Sequence, residues 1–259
     1  MKHAKKGIIS SYCSIVMLLL SSCNKTNDSP KSRTLLVAIQ RLSDIIKVEK
    51  IFKIYEDSSY IFTEMITEFD HKKTESWEGV VRIHNDTIKF FPSRLGYNHG
   101  EIAVLKNGFI ELINAEHFDK LKIQQTSLFV KNRIDFANFK DYAVFTAQIN
   151  IYHSRNKQNF QNYDLTTKEL AQIDSVLKQD FQKKPNLREF SNYIKQVEAV
   201  RNTQGSILAF IHCFCKNTHR DDRYQYYPIS IMDGGNCNVF IKLNLSTRKI
   251  ETLTIAGET

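Results

Sequence analysis

Five side chains able to hold a metal or do thiol chemistry crowd one stretch of the chain: His212, Cys213, Cys215, His219 and Cys237. Cys213, Cys215, His219 and Cys237 are enough soft ligands for a tetrahedral zinc site if His219 folds back from a loop. Their spacing fits no usual zinc knuckle, and alternation along a strand turns His212 away from both cysteines. Cys213 and Cys215, two apart, share a strand face, and Cys237 opens a later strand. A disulfide from Cys237 to either of them needs Cα atoms within about 7 Å, which neighbouring strands supply. Three thiols then leave one unpaired. A nucleophilic cysteine needs a helix N-terminus and an orienting base, and a mid-strand Cys-Phe-Cys offers neither. What remains is either a disulfide within Cys213, Cys215 and Cys237 or simple buried thiols, with no catalytic residue, no metal and no cofactor assigned.

The remaining polar motifs read as structure. Asp233-Gly234-Gly235 exposes backbone amides, but no helix start follows, so a bulge or tight turn capped by Asp233 is expected. Arg223-Tyr224-Gln225-Tyr226-Tyr227-Pro228 is either an aromatic platform for a glycan or partner, or an ordinary tyrosine-rich strand; the strand is preferred. Glu64, Glu68, Asp70 and Glu75 show no pairing of the kind a glycosidase uses. There is no glycine-rich nucleotide loop, nucleophile elbow, His-Glu-x-x-His, EF-hand loop, fixed-period repeat or heptad.

The elements that position these residues follow from hydrophobic period. Leu35, Leu36, Ile39, Leu42, Ile45 and Ile46 fall at helical spacing, which predicts an amphipathic helix over 33–48. Eight β-rich runs follow, from Lys50–Tyr55 to Tyr142–Gln148, punctuated by Glu56-Asp57-Ser58-Ser59, Asn85-Asp86 and the type I′ signal Asn107-Gly108. Thr166 and Glu169 have capping-box spacing before Leu170, Ile173, Leu177 and Phe181, a helix that Lys183-Lys184-Pro185 ends. Five further strands are expected: Asn192–Val200, Ser206–Cys215, Arg223–Met232, Cys237–Leu245 and Lys249–Ile255. The fold class is α+β, mainly antiparallel β, in two helix-plus-meander layers. Residues 33–150 form a helix-plus-meander domain, and residues 151–259 a domain with one helix on a four- to five-strand sheet.

Compartment comes from the start of the chain. Lys2, His3, Lys5 and Lys6 precede an apolar run from Ile8 to Leu20, too short to span a bilayer and interrupted by Ser10, Ser11 and Ser14. The run ends in Leu20-Ser21-Ser22-Cys23, which resembles the lipobox of bacterial lipoproteins. That resemblance implies a signal peptide over 1–22, cleavage before Cys23, diacylglycerol on its thiol and acylation of the new amino group. Two or three acyl chains at about 0.8 kcal/mol per buried methylene make such an anchor effectively permanent. Residues 23–32 are then the lipidated cysteine and a polar tether. In such an oxidising compartment a disulfide outcompetes a thiolate metal site.

A second resemblance covers roughly the last 90 residues. Tyr193-Ile194-Lys195-Gln196, Ile211-His212-Cys213-Phe214, Asp233-Gly234-Gly235-Asn236-Cys237, Phe240-Ile241-Lys242-Leu243-Asn244 and Ile255-Ala256-Gly257-Glu258 resemble the C-terminal region of Bacteroidota-type lipoproteins. This family brings a fold expectation and no catalytic residue.

The net charge of +8 falls to +5 when Lys2, Lys5 and Lys6 leave with the signal. The excess is spread along the chain, unlike the concentrated basic face of a nucleic-acid binder. The sequence therefore predicts a non-enzymatic lipoprotein of the cell envelope, facing periplasm or surface. It would be anchored through Cys23, at the outer membrane rather than the inner, and would bind a protein or glycan and no nucleic acid. The alternatives are a small metal- or thiol-dependent hydrolase and an inhibitor or immunity-type protein of the envelope.

Overall fold

A computed structural model describes residues 32–43, 46–147, 160–216, 222–229 and 233–257, and Arg33–Thr259 form one compact unit. Its first part is a closed antiparallel barrel of eight strands in sequence order: β1 Thr34–Ser43, β2 Ile46–Tyr55, β3 Ser59–Glu68, β4 His71–His84, β5 Thr87–Phe91, β6 Ile102–Lys106, β7 Phe109–Ile113 and β8 Asp119–Thr126. The turns are chemically specified. Asn107 and Gly108 take φ of 51° and 80°, the pair of positive values a type I′ hairpin needs.

The helix expected over 33–48 is not formed. Leu36, Ala38 and Gln40 are fully buried in the lumen while Val37 and Ile39 face outward, the alternation of a strand. An apolar run of this length satisfies both periods, and what separates them lies elsewhere in the chain. β1 pairs with β2 from Thr34↔Tyr55 to Ser43↔Lys47 and with β8 from Leu36↔Thr126 to Ile39↔Lys122, so it closes the barrel. As a helix it would leave β2 and β8 as open edges.

The lumen is packed, not hollow. Phe52, Tyr60, Phe62, Phe90 and Leu95 are buried there, with Phe62 and Tyr97 stacked at 4.4 Å. Gly79 makes room for this packing, since a Cβ there would stand 2.7 Å from the Tyr60 ring. Toward one end the filling turns polar. Lys50 Nζ donates to both Asp119 oxygens at 2.9 and 3.0 Å and lies 3.8 Å from Glu64; the Tyr97 hydroxyl donates to Asp119 at 2.8 Å. Outward positions on β4 such as Lys72, Thr74, Ser76 and Glu78 are polar and exposed.

The second part is a sheet ordered β10 (Phe160–Asn162), β11 (Tyr193–Asn202), β12 (Ile207–Cys215), β13 (Asn238–Asn244) and β14 (Lys249–Ile255). β9 (Tyr142–Thr146) belongs here and not to the first meander: it runs parallel to β11, from Lys195↔Tyr142 to Ala199↔Thr146. Nor is Arg223–Met232 a strand over its described part, where a 3-10 turn, Asp222–Gln225, leads into an irregular segment. The side chain of Gln196 takes up the backbone groups that a ladder would have used: its amide donates to Tyr224 and Tyr227 carbonyls at 2.8 and 2.9 Å and accepts from Ile229 N at 2.8 Å.

Helix α1 (Thr167–Phe181) lies across one face of this sheet. Its N-terminus carries the capping box read from sequence: Glu169 N donates to Thr166 Oγ1, and Thr166 N donates to the Glu169 carboxylate. Leu170, Ile173, Leu177 and Phe181 are buried against Val197, Ile211, Val239 and Ile241. Each such side chain contributes about 1.5–3 kcal/mol on burial.

Charged side chains join barrel to sheet. Glu111 accepts from Thr146 N and Oγ1 at 3.0 and 2.6 Å and pairs with Lys120 at 3.3 Å and Lys106 at 3.6 Å, while Lys120 Nζ donates to the Val144 carbonyl at 2.7 Å. Burial works to raise the Glu111 pKa, but the two ammonium groups and the Thr146 donors outweigh it and hold the carboxyl below its usual range. The described residues are thus mainly antiparallel β with one α-helix.

Candidate functional site

Alternation splits the second sheet into two chemistries. Tyr193, Val197 and Ala199 on β11 face α1, and Gln196 and Glu198 face the other way. Register extends this outer face across the strands. Glu198 stands opposite Phe210, Phe210 opposite Lys242 and Lys242 opposite Thr252, while in the next row Gln196, His212, Phe240 and Thr254 follow one another. Phe145 on β9 lies beside Glu198. These side chains line a cleft of about 340 Å³, with Pro228 and Ile229 as one wall. That wall is the segment pinned by Gln196.

The cleft has a rigid aromatic floor. The His212 ring stacks on Phe240 at 4.3 Å and 14°, and Phe240 is 43% exposed. His212 Nδ1 faces the Ile229 carbonyl at 3.0 Å, and Nε2 faces Asn238 Oδ1. Asn238 Nδ2 donates to Asp233 O at 3.0 Å, which fixes the amide so that its oxygen points at the imidazole. Both ring nitrogens therefore meet acceptors, which fixes the orientation of the ring on this surface.

Glu198 differs from every other acid of the region. Among the described residues its carboxylate has no hydrogen-bond or ion-pair partner, although it is only partly exposed. Burial, then the nearby Glu111 charge, push its pKa up to about 7, with Lys106 acting in the opposite direction. Lys242 is bound to Glu251 at 2.8 Å.

The cysteines lie on the opposite sheet face, within the α1 core. Cys215 and Cys237 form a disulfide with Cα atoms 4.8 Å apart. Cys213 stays a buried thiol whose pKa burial pushes up to about 12, the Lys195 charge notwithstanding. His219, the fourth metal candidate, lies outside the described residues, as do Leu20, Ser21, Ser22 and Cys23. Asp233 caps its turn by accepting from Gly234 N at 2.7 Å, with Gly234 and Gly235 at φ of 119° and 53°. The tyrosine run is no platform: Tyr224 and Tyr226 are buried, and the Tyr224 hydroxyl donates to Lys140 O at 2.7 Å.

Of the metal and thiol candidates read from sequence, the cleft takes only His212, and Pro228 joins it from the end of the tyrosine run. Glu198, Phe210, Phe240 and Lys242 were missed as a set. The available signal was polar residues at Gln196 and Glu198 on the alternate face of an otherwise apolar strand. No family model, curated protein or solved structure matches this chain.

Proposed function

We propose that the chain is a non-enzymatic binding protein of a bacterial cell envelope, tethered to the outer membrane through acyl chains on Cys23. Its protein or glycan partner docks in the cleft over β11–β14. The anchoring half of this reading rests on the basic start, the apolar run Ile8–Leu20 and the Leu20-Ser21-Ser22-Cys23 ending. The binding half is carried by one observation, the solvent-open Phe240 held flat against a His212 that is itself tied at both nitrogens. A rigid exposed aromatic contributes contact area at little entropic cost. Two of the ligands that a metal- or thiol-dependent hydrolase would need, Cys215 and Cys237, are consumed by their disulfide.

The test uses the full chain purified from membranes in detergent. One envelope protein or glycan captured by wild type and lost with Phe240→Ala supports the cleft; capture unaffected by that substitution moves the binding elsewhere. For the anchor, the native product is expected to begin at Cys23, carry acyl mass and lose detergent partition in Cys23→Ala. A wild-type product that partitions into water overturns it.

A further inference from the structure

We propose that this cleft selects a cationic ligand, one whose ammonium group sits against the Glu198 carboxylate while an apolar body lies along Phe210 and Phe240. This rests on the cleft being a binding site and names what it binds.

Charge balance carries the argument. Among the described lining residues Glu198 is the one acid, and no described side chain pairs with it. The cation that shares its face, Lys242, is engaged by Glu251. His212, the other titratable group of the cleft, points its nitrogens at Ile229 O and Asn238 Oδ1. From the barrel, Glu111 adds repulsion and Lys106 a partial offset, and Glu111 is already held between Lys106 and Lys120. A hydroxyl or amide donor would satisfy a lone pair of Glu198 and leave its charge uncompensated; a cation compensates both. Phe240, 43% exposed with one face against His212, offers its open side to the same sign of charge.

The ligand must displace a proton from a carboxyl poised near neutrality, so binding tightens as pH rises. Between pH 6 and pH 8 the ionised fraction of a group titrating at about 7 grows roughly tenfold, and affinity follows until the amine itself deprotonates.

Phenethylamine and its neutral counterpart 2-phenylethanol are the probes, titrated into the full chain in detergent at pH 8 and followed by backbone amide shifts. The amine is expected to bind at least about tenfold tighter than the alcohol, with shifts centred on Phe240, Thr252 and Thr254. Glu198→Gln is expected to abolish that preference. Equal binding of amine and alcohol to wild type overturns the proposal and leaves the cleft reading intact. An amine preference that survives Glu198→Gln also overturns it, by placing the cation elsewhere. If neither probe shifts the cleft residues, the cleft reading fails as well. The comparison of two probes on wild type needs no variant to fold.

Discussion

Replacing Glu198 by Gln should make the protein more stable at alkaline pH and leave it unchanged in acid. The folded state holds this carboxyl protonated up to about 7, against an ordinary value of 4.5. A raised carboxyl favours the folded state fully below the unfolded pKa, and the benefit disappears as pH climbs through the folded one. Stability contributed by the proton on Glu198 is therefore present below about pH 4.5 and lost between there and pH 7 to 8. Each tenfold in proton affinity corresponds to about 1.4 kcal/mol, so the ionised carboxylate costs the fold up to about 3 kcal/mol above pH 8. Glutamine matches the neutral acid in shape and never ionises. Urea denaturation of wild type and Glu198→Gln at pH 4 and pH 8.5 measures the difference: close to zero at the lower pH, and about 3 kcal/mol in favour of the variant at the higher. A difference that stays flat with pH would refute the reasoning, because it would mean the carboxyl is solvated or partnered in solution. A variant less stable at pH 8.5 would show that the ionised carboxylate is a stabilising group.

Glu111→Ala should cost about 3–5 kcal/mol in urea midpoint analysis, since it leaves Lys106 and Lys120 buried beside each other without their shared anion. A loss below about 1 kcal/mol would mean that water reaches this junction. Cys215→Ser opens a loop spanning 22 residues of sequence separation and should lower stability by about 3 kcal/mol; reductant should then have no further effect on its midpoint. Gly79→Ala forces a Cβ to 2.7 Å from the Tyr60 ring and should destabilise the barrel by about 1–3 kcal/mol, visible as a lower melting temperature. Neutral behaviour would show that the ring has room to tilt.

Much of this fold is legible in local sequence, and the errors share a cause. The Thr166 capping box, the Asn107-Gly108 turn and the alternation in most strands act over a few residues, and each appears at or near its expected place. The segment Thr34–Ser43 failed because its apolar residues satisfy both periods, and barrel closure by β8, some 80 residues away, selects the strand. Arg223–Pro228 failed because one distant amide, Gln196, takes the backbone groups that a ladder would have used. β9 was placed in the wrong sheet because a strand's partner is not written in the strand.

By itself the sequence determined where turns and caps fall, that the chain alternates as mainly β, and that Cys213 and Cys215 share one strand face. Those properties depend on neighbours in the chain. Tertiary structure alone decided that eight strands close on themselves, that Cys215 and not Cys213 takes Cys237, and that Glu198, Phe210, Phe240 and His212 meet on one surface. Register between strands brings those four together, and register is set by which strands pair. The charge of Glu198 follows the same logic, because its environment is made by β9, β12 and the barrel's Glu111, all outside its own strand.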